Sequence, residues 1–160
     1  NEIYRGIHIY DKDTHTRVKD FPFLHIAKVN QKDGNVNGGL RRLTRLLKTL
    51  KVDADYEIKL SSFEIISSVF AMDNISLTKN PNQQLLLLNE GSKHLQKLIS
   101  DTTYRENLMS PNQKENVFGT NSSKVVELKK LKLELDELIQ DITEELARKL
   151  KRIDESIFYS

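Results

Sequence analysis

Leu40-Arg41-Arg42-Leu43-Thr44-Arg45-Leu46-Leu47-Lys48-Thr49-Leu50-Lys51 has the period of an amphipathic helix. At about 100° per residue, Leu40, Leu43, Leu46, Leu47 and Leu50 share one arc of roughly 120°. Arg41, Arg45 and Lys48 cluster on the other side, within about 60°. One face suits a core and the other presents three stacked cations. Five basic residues and no acidic one lie between Arg41 and Lys51. Arginine offers a flat fork that matches phosphate oxygens, and lysine a compact point charge. The plainer reading is a solvated face, but such faces usually interleave acids with bases. This one does not.

Downstream, Ser61-Ser62-Phe63 opens a further helix running to about Met72, with Phe63, Ile66 and Phe70 at helical spacing. Serines at a helix start are first of all caps. The same start also points backbone N–H groups and a hydroxyl at any nearby anion. Asn80-Pro81 begins the next helix, which continues to about Ser100. Residues 102–123 are mostly loop, with a turn of helix near residues 105–109. The last helix spans about residues 124–158, with Asn121-Ser122-Ser123 available to cap it. Its apolar positions are Leu128, Leu131, Leu135, Leu138, Ile142, Leu146, Leu150, Ile153 and Ile157. The steps are three and four, with one irregularity after Ile142 that suits packing within its own domain better than a long uniform coiled coil.

Upstream, a short helix over about residues 24–31 breaks near Asp33-Gly34-Asn35. Residues 3–20 read as a β-hairpin: Ile7 and Ile9 alternate with polar residues, Val18 lies on the return strand, and residues 11–14 supply the turn. The fold class is mainly α: a helical bundle with a long C-terminal helix and an N-terminal β-hairpin. The division is residues 1–20 for the hairpin and 21–160 for the helical domain.

Composition narrows function. Hydrophobic residues make up 38% and charged residues 30% of 160, as in a helix-rich globular domain. There is no cysteine, so thiolate metal sites and thiol nucleophiles are excluded. No apolar run nears the roughly 20 residues that span a bilayer, and no signal peptide is visible, so a cytoplasmic protein is expected. The first residue is not Met, which suggests a fragment or processed product. Net charge is only +2, giving no strong global pull on nucleic acid.

Taken in order, Tyr4-Arg5-Gly6-Ile7-His8-Ile9-Tyr10-Asp11, Asp20-Phe21-Pro22-Phe23-Leu24-His25, the residue 40–48 block and Leu60-Ser61-Ser62-Phe63-Glu64-Ile65 form a pattern. It resembles the DNA polymerase β-like nucleotidyltransferases, in the branch with oligoadenylate synthases, cyclic GMP-AMP synthase and bacterial cyclic-oligonucleotide synthases. Met109-Ser110-Pro111-Asn112 with Val117-Phe118 resembles that branch's late loop, so the likeness covers about residues 4–118. The resemblance implies that Lys48 and Ser62 contact a nucleoside triphosphate and that Phe63 stacks on the base. Phe63 stands where relatives often carry Tyr, which keeps stacking and loses a phenolic hydrogen bond. Arg41 and Arg45 join this set on the helical-face argument alone.

The family's catalysis needs a Gly-Ser or Gly-Gly turn, an Asp-x-Asp/Glu pair and a third carboxylate, holding two Mg²⁺ ions. These are expected upstream of the block matched by residues 4–11. The catalytic set in this chain is therefore none, and the 160 residues alone are expected to be inactive. The whole enzyme would transfer a nucleoside monophosphate from an NTP to a hydroxyl and release pyrophosphate, making a cyclic or linear oligonucleotide. Asp11-Lys12-Asp13 and Asp53-Ala54-Asp55 lack the preceding turn and are read as turn residues, not metal ligands. His8, His15, His25 and His94 have no ligand spacing, and Gly38-Gly39 lacks P-loop spacing. The competing function is a non-catalytic interaction module that oligomerises through residues 124–158.

Overall fold

The computed structural model describes residues 5–11, 16–20 and 22–159. β1 (Ile7–Asp11) and β2 (Thr16–Asp20) pair antiparallel, with Ile7 opposite Asp20 and Ile9 opposite Val18. Of the expected turn, residues 12–14 lie outside the described residues, as does Tyr4. Every further regular element among the described residues is helical: α1 (Pro22–Asn35), α2 (Gly39–Asp53), α3 (Ser62–Phe70), α4 (Asn74–Leu77), α5 (Gln84–Ser100), α6 (Thr102–Glu106) and α7 (Ser123–Phe158). A 3₁₀ turn, Pro81–Gln83, leads into α5 and carries a capping box between Asn80 and Gln83.

α2 buries Leu40, Leu43 and Leu47, the face its leucine spacing selects. Against it pack α3 and the first half of α7, and α5 lies along α7. Leu87, Leu95 and Leu98 of α5 meet Leu128, Leu131 and Leu135 of α7 in one continuous core. Gly91 permits a close crossing of α5 over α2 and α7. A Cβ there would stand 3.0 Å from a Leu43 methyl and 3.6 Å from one of Leu135.

Three expectations are corrected. The helix expected over residues 24–31 runs instead from Pro22 to Asn35, with Gly34 inside it. Proline is tolerated at a first helical position because that N–H has no intrahelical acceptor. Lys32 fastens the far end, its Nζ donating to the Phe70 and Met72 carbonyls at 2.6 and 2.5 Å. On α3, Phe63, Ile66 and Phe70 are half-buried at the expected helical spacing, and Ile65 and Val69 are its buried apolar residues. α6 forms ahead of the turn expected near residues 105–109, and the short α4 falls between two expected helices. The last helix packs as a spine through only half its length. Leu128, Leu131 and Leu135 are at most 1% exposed, whereas Leu146, Leu150 and Ile153 are 46, 62 and 53% exposed. Ser122 is the N-cap residue of this helix and makes no side-chain cap bond, while Asn121 Oδ1 just before it accepts from the Ser123 amide at 3.1 Å and hydroxyl at 2.6 Å. No helix among the described residues is long and apolar enough to cross a membrane.

Candidate nucleotide site

The start of α3 is built by a capping box. Ser61 Oγ accepts from the Glu64 amide at 3.1 Å, and Glu64 Oε2 accepts from the Ser61 amide at 2.7 Å. This satisfies two orphan donors reciprocally and fixes the entry of the chain. It also divides the serine pair. Ser61 is spent as the cap, while Ser62, the first helical residue, is exposed and its hydroxyl makes no hydrogen bond among the described residues. Phe63 follows, half-buried, with its ring centroid 5.8 Å from that of His25 at a tilt of 32°. A tilted aromatic pair leaves ring surface available to a further planar partner.

The cations of α2 do not act alike. Arg45 and Lys48 are exposed, and neither has a hydrogen bond or ion pair among the described residues. Arg41 is turned toward α1: its guanidinium donates to Asn30 and lies 3.9 Å from Asp33, whose carboxylate also accepts from the Arg41 amide at 2.9 Å. Arg42 is drawn under the helix, donating to the Lys79 carbonyl. Two of the three stripe residues are thus left for a ligand, and the third clasps two helices together.

Beside the α3 start lies an open cavity of about 840 Å³, lined among others by Lys51, Tyr56, Lys59, Ser61, Phe63 and Lys124. Lys51 stands in the sequence only as the last of the five basic residues from Arg41 onward, outside the arc of the stripe. Lys59 and Lys124 arrive from a linker and from α7, and no local pattern announces them. The Tyr56 hydroxyl, hydrogen-bonded to Glu134 and also raised by burial, is pushed up to about 12, so it remains protonated and a donor. Among the described residues no group of three or more His, Cys, Asp or Glu side chains could hold a metal ion. Asp53 closes α2 and Asp55 lines the cavity, while Asp13 lies outside the described residues.

Of the expected site residues Phe63 lines this cavity and Ser62 lies in the helix start beside it, whereas Arg41, Arg45 and Lys48 are not among its lining residues, and Arg45 borders a separate pocket with Leu46, Leu87 and Leu138. No protein-family model matches the chain. It is 35% identical over 149 residues to the cyclic dinucleotide synthase CdnE of Yersinia aleksiciae, covering 91% of this chain and 38% of that protein. It is 32% identical over 144 residues to a c-di-GMP synthase from a Flavobacteriaceae species, covering 86% and 39%. The solved structure of the STING-associated CdnE c-di-GMP synthase from Capnocytophaga granulosa superposes with a TM-score of 0.79 at 33% identity, over 89% of this chain and 46% of that one. The Flavobacteriaceae enzyme's structure gives 0.78 at 30% identity, over 91% and 42%. The chain spans about four tenths of the length of these curated relatives. Sequence likeness and superposition agree, and the chain belongs to the cyclic GMP-AMP synthase-like branch of the DNA polymerase β-like nucleotidyltransferases, alongside the bacterial cyclic-dinucleotide synthases.

Proposed function

We propose that this chain is the nucleotide-binding helical lobe of a nucleotidyltransferase that moves a nucleoside monophosphate from an NTP to a hydroxyl, releasing pyrophosphate, and whose product is a cyclic dinucleotide. The observation that carries this reading is the division of labour at the α3 start: Ser61 is consumed by the cap and Ser62 is left free beside Phe63. Lys48 and Arg45 neutralise the triphosphate, Ser62 donates its hydroxyl and offers its amide to a phosphate oxygen, and Phe63 stacks on the base. Arg41, tied to Asp33 and Asn30, supports α2 and contributes little to binding directly. GTP is the first substrate to test, since several relatives are named for c-di-GMP. The carboxylates and the Mg²⁺ they hold are proposed to lie outside these 160 residues, on the lobe to which the β1–β2 hairpin belongs.

Titration of the chain with Mg·GTP and Mg·ATP tests the reading. Lys48→Ala and Ser62→Ala should each weaken binding by roughly tenfold, about 1.4 kcal/mol. Equal affinity across wild type and both variants would remove the phosphate role. A second reading, self-association through α7, is favoured by the exposed stripe at Leu146, Leu150 and Ile153.

A further inference from the structure

The chain from Glu57 to Ser61 has no regular secondary structure, yet it delivers the serine start of α3. Three side chains on one face of the first turns of α7 hold it. Lys124 Nζ donates to the Lys59 carbonyl at 2.9 Å and stands 2.9 Å from Glu64 Oε1. Glu127 Oε2 accepts from the Lys59 amide at 2.6 Å. Lys130 Nζ donates to the Glu57 carbonyl and to Glu127, each at 3.1 Å. At every third residue α7 supplies a strut to this linker. Only one of them reaches the capping box itself.

That strut is Lys124. Its partner Glu64 is buried, and the same carboxylate closes the box on the Ser61 amide. The α3 start can attract an anion only if its N–H groups are held in line and no uncompensated negative charge stands beside them. A lone Glu64 carboxylate would supply such a charge. The Lys124–Glu64 pair, with side chains 22% and 11% exposed, is screened less than a surface pair. We infer that Lys124 is a positioning residue for the triphosphate site: through Glu64 and the Lys59 carbonyl it fixes the orientation of the Ser61-Ser62 start and cancels the charge that would repel the ligand. The inference rests on the nucleotide reading above. It extends the site onto α7, which the motif resemblance over residues 4–118 does not reach.

The test compares wild-type chain with Lys124→Met, Lys124→Arg, Glu64→Gln, Lys48→Ala and Lys149→Met. Calorimetric titration with Mg·GTP is paired with amide hydrogen exchange at Ser61 and Glu64 and with melting curves. Lys124→Met should bind roughly tenfold more weakly, with both amides exchanging faster by a similar factor. Lys124→Arg should restore affinity to within about twofold, because the guanidinium keeps the pair. Glu64→Gln removes the charge that Lys124 compensates and keeps a side-chain acceptor for the Ser61 amide, so it should bind within about twofold of wild type. Lys149→Met, whose partner is Glu145 on the distal half of α7, should match wild type. Wild-type affinity in Lys124→Met, or a lowered melting point with affinity unchanged, overturns the inference. If Lys48→Ala binds like wild type while Lys124→Met still exchanges faster, the nucleotide reading has failed, and the role of Lys124 toward that ligand goes with it.

Discussion

His94 sits on α5 with its ring edge-on to Tyr104 at 6.0 Å. Burial, opposed by a hydrogen bond to the Ser68 backbone, lowers its pKa to about 4, and Nε2 is buried with no hydrogen-bond partner among the described residues. Lys97, Lys32 and Asp73 are the charges that face it. Because the folded value lies below the ordinary 6.5, the unfolded chain takes the proton first. The contribution of neutral His94 to stability is complete above about pH 6.5 and is lost as pH falls toward 4, at up to roughly 1.4 kcal/mol per pH unit. The melting point of His94→Gln should therefore fall less between pH 7 and pH 5 than that of wild type. At Gly39 the constraint is steric. A Cβ would lie 1.9 Å from the Leu77 carbonyl oxygen, so Gly39→Ala should cost about 2–3 kcal/mol in urea unfolding. From sequence Gly38-Gly39 is simply a loop, because its neighbour Leu77 is remote along the chain.

α2 shows how one element separates two duties between adjacent residues. Leu47 is 2% exposed in the core, while Lys48 is exposed beside it. Leu47→Ala should destabilise by about 2–5 kcal/mol, and Lys48→Ala should leave stability within about 0.5 kcal/mol while weakening nucleotide binding. Urea titration and calorimetry on the same two proteins check both halves. Its leucine face was legible because five leucines share one arc and nothing competes with them. α3 was not legible in the same way. Ile65, Ile66, Val69 and Phe70 give this short helix two apolar stripes, and the choice falls to the one that buries Glu64 against Lys124. No residue inside α3 encodes that partner. Arg41 illustrates the same limit: its helical angle joined it to Arg45 and Lys48, and Asp33 on α1 drew it away.

For the molecule as a whole, the helical class and order of the major helices followed from periodicity and capping residues, whereas the site residues rest on the resemblance and the helical-face argument and stand as proposals. What periodicity withheld was where α7 leaves the core, since its apolar steps continue well past Ile142. The step irregularity there coincides with the change from buried to exposed leucines. If the exposed stripe joins two copies, Leu150→Glu should convert an assembly to monomer in sedimentation velocity, with the melting of the core unchanged.

The outer half of α7 carries Arg148, Lys149, Lys151 and Arg152 on a segment without a bundle behind it. An isolated helix of that length is marginal in water. Trypsin should nick it first, leaving a trimmed species, identifiable by mass spectrometry, that still contains Ile142 and everything before it. Should two copies shelter those bonds, cleavage would slow as protein concentration rises, so a dilution series of digests would report on assembly without any label.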